Sequence, residues 1–332
     1  MKLLITRKIP LAGIEILQQF PQIEIDYRQG APLSAEELKK AIKDVEAIIP
    51  VIPDQITEQI IKAAPNLKLI ATYSVGYDHI DLKTATAHKV FVANTPGDLT
   101  ESVAEHAFAL MLALGRKIVE ADKYCREGDY KYWDPMLFLG PQFSNKTLGI
   151  VGFGRIGQHL AKIAHGGLNM KILYYDMKRC VTEVEEAYNA HCVSVEELLQ
   201  NSDVVSLNCV LSPETHHLIN DKRLRLMKPN AYLINTARGP VIDEEALVTA
   251  LKENIIEGAA LDVFENEPKI HPDLIKMRNV ILTPHIASAT REARIQMARM
   301  AAENVVDVLI KNQPPKNLVN TELSKQTISS LI

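Results

Sequence analysis

Residues 147–176 constrain this chain more than any other stretch. A strand-like run, Thr147 to Val151, leads into Gly152-Phe153-Gly154-Arg155-Ile156-Gly157. A helical segment follows from Ile156 to Ala164, and a second apolar run, Lys171 to Asp176, closes on an acid nineteen residues after the last glycine. Strand, glycine loop, helix, strand and acid in that order form the phosphate-and-ribose signature of a dinucleotide site. Gly152 would allow the tight turn, Gly154 close approach of a pyrophosphate, and Gly157 close packing of helix on strand. The helix start adds unpaired N–H groups and a partial positive charge. Asp176 would accept hydrogen bonds from the ribose hydroxyls and repel a 2′-phosphate, so NAD(H) is the expected cofactor. Lys178 and Arg179 follow at once; they either turn inward to a 2′-phosphate, making NADP(H) possible, or remain solvated loop cations.

About 150 residues precede this motif, and 332 residues suit two domains. From residue 1 to about 95, candidate strands (Lys2 to Thr6, Ile23 to Tyr27, Ala47 to Pro50, Leu67 to Thr72, Val90 to Ala93) alternate with helical patterns (Leu11 to Gln19, Ser34 to Ile42, Thr57 to Ala64, Leu82 to Ala87). A second series continues from Thr147 through strands near Val204 to Leu207, Ala231 to Asn235, Gly258 to Leu261 and Val280 to Thr283. Such repeats imply parallel sheets covered on both faces. The fold class is therefore α/β, with two doubly wound, Rossmann-like domains. Between the two series, one long helix is expected from about Glu101 to Glu127, with Val103, Ala107, Leu110, Met111 and Leu114 on its apolar stripe. A last helix, Ala289 to Lys311, presents Ile295, Ala298, Ala302, Val305 and Leu309, and is expected to return to the first domain. The expected division is residues 1–100 with 288–332 as a substrate-binding, flavodoxin-like domain, and 101–287 as the dinucleotide domain. The tail after Ser324 carries no readable pattern.

Net charge is −4, with 23% charged and 47% apolar residues, which argues against nucleic-acid and membrane partners. The amino-terminal segment reads as a strand rather than a leader, so a cytoplasmic protein is expected. Cys125, Cys180, Cys192 and Cys209 lack a CxxC spacing and are expected to be buried free thiols, with no metal site. Tyr130 to Phe143 is apolar for a loop, carrying Trp133, Met136, Leu137, Phe138 and Leu139. It reads as an arm, near residues 120–145, that packs on a second subunit in a homodimer, or as a lid on its own chain.

Three strings each follow a candidate strand: Asn235-Thr236-Ala237-Arg238-Gly239, Leu261-Asp262-Val263-Phe264-Glu265-Asn266-Glu267-Pro268 and Thr283-Pro284-His285-Ile286. Ligands of open parallel sheets sit beyond the carboxyl ends of the strands, so an arginine, an acid and a histidine can converge there. Reducing a ketone needs a proton donor to the forming alkoxide, a role for His285. An acid substrate needs a fixed positive charge, a role for Arg238. Glu267 would orient the imidazole and favour its protonated form.

The runs LGIVGFGRIGQ, INTARGPVIDEEAL, ALDVFENEP and LTPHIASAT, with Ser74-Val75-Gly76-Tyr77-Asp78, Asn94-Thr95-Pro96-Gly97 and Leu99-Thr100-Glu101, resemble the D-isomer-specific 2-hydroxyacid dehydrogenases over nearly the whole chain. Trp133-Asp134-Pro135-Met136-Leu137-Phe138-Leu139-Gly140 resembles the dimer-contact arm of the glyoxylate/hydroxypyruvate reductases within that family. The resemblance implies Arg238 as substrate-binding arginine, Glu267 as histidine-orienting acid and His285 as general acid/base. It also implies a substrate carboxylate on the N–H groups of Val75 and Gly76, Arg155 and Ile156 at the pyrophosphate, Asp262 and the Ala237 carbonyl at the nicotinamide amide, and Thr100 near the nicotinamide face. The active site is expected in the cleft between the domains. Val51 and Ile52 follow the third strand and could wall a small pocket, so a short 2-keto or 2-hydroxy acid is the expected substrate. The alternatives are a 2-ketogluconate, phosphoglycerate or phosphite dehydrogenase, and a dinucleotide-sensing binding protein similar to the C-terminal-binding-protein corepressors.

Overall fold

A computed structural model of the chain describes residues 1–97 and 99–324. In chain order its elements are β1 (Lys2–Ile5), α1 (Leu11–Gln18), β2 (Glu24–Tyr27), α2 (Ala35–Ala41), β3 (Ala47–Ile49), α3 (Glu58–Lys62), β4 (Leu69–Ala71), α4 (Leu82–Ala87) and β5 (Phe91–Ala93). They continue as α5 (Leu99–Gly115), α6 (Ile118–Arg126), β6 (Thr147–Val151), α7 (Arg155–Leu168), β7 (Lys171–Tyr175), α8 (Thr182–Tyr188), β8 (Ala190–Cys192), α9 (Val195–Asn201) and β9 (Val204–Leu207). The last are α10 (Asp221–Leu224), β10 (Tyr232–Asn235), α11 (Glu244–Lys252), β11 (Gly258–Leu261), β12 (Val280–Leu282) and α12 (Arg291–Leu309). The chain divides into two compact units: Met1–Leu99 with the residues from Ala289 onward, and Thr100–Ser288.

In the first unit the strands run in the order β2-β1-β3-β4-β5, every pair parallel. Alternate residues serve the two faces. Leu4, Ile48, Ile70 and Val92 join Leu38, Ile60, Ile61 and Ala85 of α2, α3 and α4 in one core cluster, while α12 packs on β3, β4 and α1 on the other side. Hydrogen bonds fix the helix starts: Ser34 and Glu37 form a reciprocal capping box on α2, and Thr290 caps α12.

The second unit carries the order β12-β11-β10-β9-β6-β7-β8, again all parallel. Leu148, Ile150, Val204, Tyr232, Ile234 and Ala260 enter one cluster with α5 and α7. Val151, Val205, Leu207, Leu233, Ala259 and Leu261 enter the other with α9 and α11. Burial on both faces explains why these strands read as near-continuous apolar runs. The strand order reverses direction at β6, between β7 and β9, which is where such sheets open a crevice for ligands.

Three expectations need correcting. The helix expected over 101–127 is two helices, α5 and α6, separated at Lys117, whose φ of 51° is left-handed. The buried stripe of α5 ends at Leu114; α6 buries none of its residues, and Ile118 and Val119 are exposed. On α12, Ile295 is exposed, and the buried face runs instead through Met297, Ala298, Ala301, Ala302 and Val305. The cysteines are free but not buried: Cys125 is exposed and the other three are intermediate. Among them, partial burial pushes the Cys209 thiol up to about 11. Among the described residues no helix is long and apolar enough to cross a membrane.

Candidate active site

The glycine loop leaves β6 at its carboxyl end. Gly152 has φ 90°, and a side chain there would meet the Cys209 backbone nitrogen at 2.5 Å, so turn and strand spacing both require glycine. A Cβ on Gly157 would lie 2.3 Å from the Gly152 carbonyl oxygen, whereas one on Gly154 would point into open space. Gly154 is the N-cap of α7 and supplies no side-chain hydrogen bond to the helix start. An uncapped helix N-terminus facing open space beside a glycine fits a pyrophosphate. Arg155 is exposed and Ile156 half-buried in that first turn. Asp176 stands just past β7, and its Oδ2 accepts the Phe153 N–H at 2.7 Å, so the acid is aimed by the glycine loop itself. Its Oδ1 accepts the Lys178 N–H at 3.3 Å.

Arg238, Glu267 and His285 lie beyond the carboxyl ends of β10, β11 and β12. The Asn235 side chain braces the turn before Arg238: its Oδ1 accepts the Ala237 N–H at 3.0 Å and its Nδ2 donates to the Arg238 carbonyl at 3.0 Å. The guanidinium Nη1 donates to the Ala237 carbonyl at 2.8 Å. A Cβ on Gly239 would sit 1.9 Å from the Phe264 backbone, so the Arg238 loop lies directly on the loop that carries Glu267. Glu267 Oε1 accepts the Phe264 N–H at 3.0 Å, and Oε2 stands 2.9 Å from His285 Nδ1. Both carboxylate oxygens are thereby fixed. With a proton on Nδ1 donated to Glu267, Nε2 is the ring atom left for chemistry.

His285 itself is left-handed, with φ 54°. Its N–H donates to the Asp262 carbonyl at 2.8 Å, and the buried Asp262 carboxylate accepts from Thr283 Oγ1 (2.6 Å), Ile286 N (2.9 Å) and Ala287 N (2.8 Å). Burial pushes the Asp262 pKa up, but hydrogen bonds from His106, Thr283, Ile286 and Ala287 outweigh it and hold the pKa below its ordinary value. The Asp262 side chain therefore clamps the histidine loop. Sequence reasoning missed this clamp, the bracing by Asn235, and His106 of α5, whose Nε2 is 3.2 Å from Thr283 Oγ1. The signal for Asn235 and Asp262 was a polar residue at the very end of, or just past, an apolar strand.

In the first unit, Val51 and Ile52 form the half-buried loop after β3. Arg7 donates to the Val51 carbonyl, and Val51 N–H is shared between Thr6 Oγ1 (3.0 Å) and Asp54 Oδ2 (3.3 Å). Val75 and Gly76 follow a buried network in which Thr72 Oγ1 is 2.7 Å from Ser74 Oγ and 3.0 Å from His79 Nε2, while Ser74 Oγ donates to the Gly76 carbonyl at 2.6 Å. Among the described residues, the N–H groups of Val75 and Gly76 donate to no protein acceptor. Thr100 lies in the first turn of α5.

Residues 108–287 match the family described as D-isomer specific 2-hydroxyacid dehydrogenase, NAD binding domain. A glyoxylate reductase from Thermococcus litoralis is 48% identical over 326 residues, covering 97% of this chain and 97% of the relative. A glyoxylate reductase from Thermofilum pendens is 49% identical over 327 residues, covering 98% and 96%. The crystal structure of a protein from Thermus thermophilus superposes with a TM-score of 0.90 at 41% identity, covering 96% of this chain and 100% of that one.

Proposed function

The chain belongs to the D-isomer-specific 2-hydroxyacid dehydrogenases, oxidoreductases that use a nicotinamide dinucleotide, and from that premise we propose that it is an NADH-dependent reductase of short 2-keto acids such as glyoxylate and hydroxypyruvate. The observation that carries the reading is the 2.9 Å contact of His285 Nδ1 with Glu267 Oε2 at the carboxyl edge of the sheet that holds the glycine loop. The bound cofactor supplies the hydride. His285 Nε2 delivers the proton that the forming alkoxide takes up, and Glu267 keeps the ring in the orientation for that delivery. Arg238 pairs with the substrate carboxylate, as a guanidinium fork suits. In the first unit, the N–H groups of Val75 and Gly76 offer donors to a carboxylate, and Val51 and Ile52 offer apolar walls to a side chain kept small.

Asp176 supports NAD(H) over NADP(H), because its carboxylate, held by Phe153 N–H, suits two hydroxyls and opposes a phosphate. The exposed Tyr130, Tyr132, Trp133, Met136 and Leu139 support an arm buried in a homodimer. The same segment borders a groove of about 610 Å³ lined by Leu114, Val119, Met136, Leu137, Tyr232 and Ile281. Free cysteines suit the reducing cytoplasm.

The test is nicotinamide oxidation with glyoxylate, hydroxypyruvate, pyruvate, 2-ketogluconate and phosphohydroxypyruvate as substrates. Preference for glyoxylate or hydroxypyruvate is expected; activity confined to a larger or phosphorylated acid would reject the substrate class. His285→Ala should lower turnover by roughly 10²–10⁴ with NADH affinity nearly unchanged. Unchanged turnover would remove His285 from the mechanism.

A further inference from the structure

Two cations, Lys178 and Arg179, follow Asp176, and an arginine near this acid is the usual receiver of a 2′-phosphate. The structure commits that arginine elsewhere. Arg179 Nε donates to Glu185 Oε1 at 3.0 Å and Nη2 to Glu185 Oε2 at 2.9 Å, a two-point contact with α8. Glu185 is not an ordinary surface partner: its side chain is only 10% exposed, against 71% for Arg179. The buried Tyr174 hydroxyl donates to Glu185 Oε1 at 2.5 Å and accepts the Cys180 N–H at 3.0 Å. The Tyr174 ring stacks on Phe153 of the glycine loop at 4.1 Å. Residues 176–180 are thus pinned at both ends, by Phe153 N–H on Asp176 and by Tyr174 on Cys180.

We propose that Glu185 is a specificity-determining positioning residue, which withholds Arg179 from the 2′ position of the cofactor ribose and so reinforces selection of NAD(H) by Asp176. The inference rests on the proposed cofactor preference. Its physical basis is the asymmetry of the pair. Arg179 could turn to a phosphate at little cost to itself, but doing so would strip Glu185 of its cation in a nearly buried place, with one phenol hydroxyl left as donor. The Arg179 and Tyr174 hydrogen bonds hold the Glu185 carboxyl at about 2, so it stays charged and keeps its claim on the guanidinium at any working pH.

The test is fluorescence titration of NADH and NADPH against wild type, Glu185→Gln, Arg179→Ala and the double variant. Glu185→Gln keeps the shape and the Tyr174 hydrogen bond, removes the charge, and is expected to tighten NADPH about tenfold while leaving NADH within about twofold. The double variant should lose that gain. Arg179→Ala alone, a change at an exposed side chain, should leave NADPH binding unchanged, because the guanidinium is already withheld. Several-fold weaker NADPH binding in Arg179→Ala, or no Arg179-dependent gain in Glu185→Gln, would overturn the proposal. The cofactor preference fails by a separate result: wild type that binds NADPH as tightly as NADH, or Asp176→Ala that weakens both equally. The Arg179 comparisons can still be read in that event.

Discussion

Asp262→Asn would remove one oxygen from the clamp that holds the His285 loop. The asparagine carbonyl can keep Thr283 Oγ1 and Ile286 N–H, but its amide nitrogen then faces Ala287 N–H, donor against donor. Leaving that buried N–H unpaired costs about 1–3 kcal/mol, and the two remaining hydrogen bonds weaken from charge-assisted to neutral, adding about 1 kcal/mol. A loss of about 3 kcal/mol lowers the unfolding midpoint of a unit of about 190 residues by about 6–12 °C. Activity should fall as well, about tenfold or more, because His285 sits at a φ of 54° that costs about 1–2 kcal/mol and is sustained by the same clamp. The pH dependence has a fixed sign. The folded-state pKa of Asp262 is depressed, so its stabilisation is complete above the ordinary carboxylate value of about 3.9 and is lost as pH falls through the lower folded value. Asparagine does not titrate, so the deficit should be constant from neutral pH to about 4 and narrow below that. Thermal unfolding followed by circular dichroism, with turnover measured in parallel, tests both parts. A midpoint within about 2 °C of wild type at pH 7, or a deficit that widens in acid, would refute the reasoning.

Gly239→Ala should lower kcat more than it raises KM for NADH and should destabilise by about 1–3 kcal/mol, because the new methyl would meet the Phe264 backbone at 1.9 Å and push the Arg238 and Glu267 loops apart. Kinetics indistinguishable from wild type would show that the two loops are not locked together. Light scattering on the eluting protein should give twice the 37.0 kDa chain mass, and Trp133→Ala should shift the population toward the single chain. A wild-type mass of one chain at micromolar concentration would reject the dimer.

What the sequence disclosed follows from how far apart the interacting residues lie. The central strands were legible because they are buried on both faces, and apolar runs such as Val204–Leu207 or Tyr232–Asn235 admit few other readings. The break before α6 was not, because Ile118 and Val119 continue the apolar content of α5 while pointing to solvent. Ile295 misled for the same reason: periodicity marks a possible face, and packing decides which residues use it. β8, three residues with only Ala190 buried, carries too little pattern to read.

The site divides along the same line. Residues that act on a ligand from the end of a strand leave a local mark: a glycine loop, an arginine before Gly239, a histidine after Pro284. Residues that hold those groups in place act through backbone N–H groups far away in sequence. Asp176 grips Phe153 N–H across 23 residues, and Asp262 grips Ala287 N–H across 25. A carboxylate that serves a distant backbone needs no particular neighbours in sequence, so no spacing rule can mark it. Asp262 was noticed only as a ligand contact, while its visible work is to hold a left-handed histidine. Glu185 was not noticed at all, although it decides where Arg179 points. Substitutions of such holding residues should therefore disturb geometry and cofactor choice while every residue named by its motif is still present.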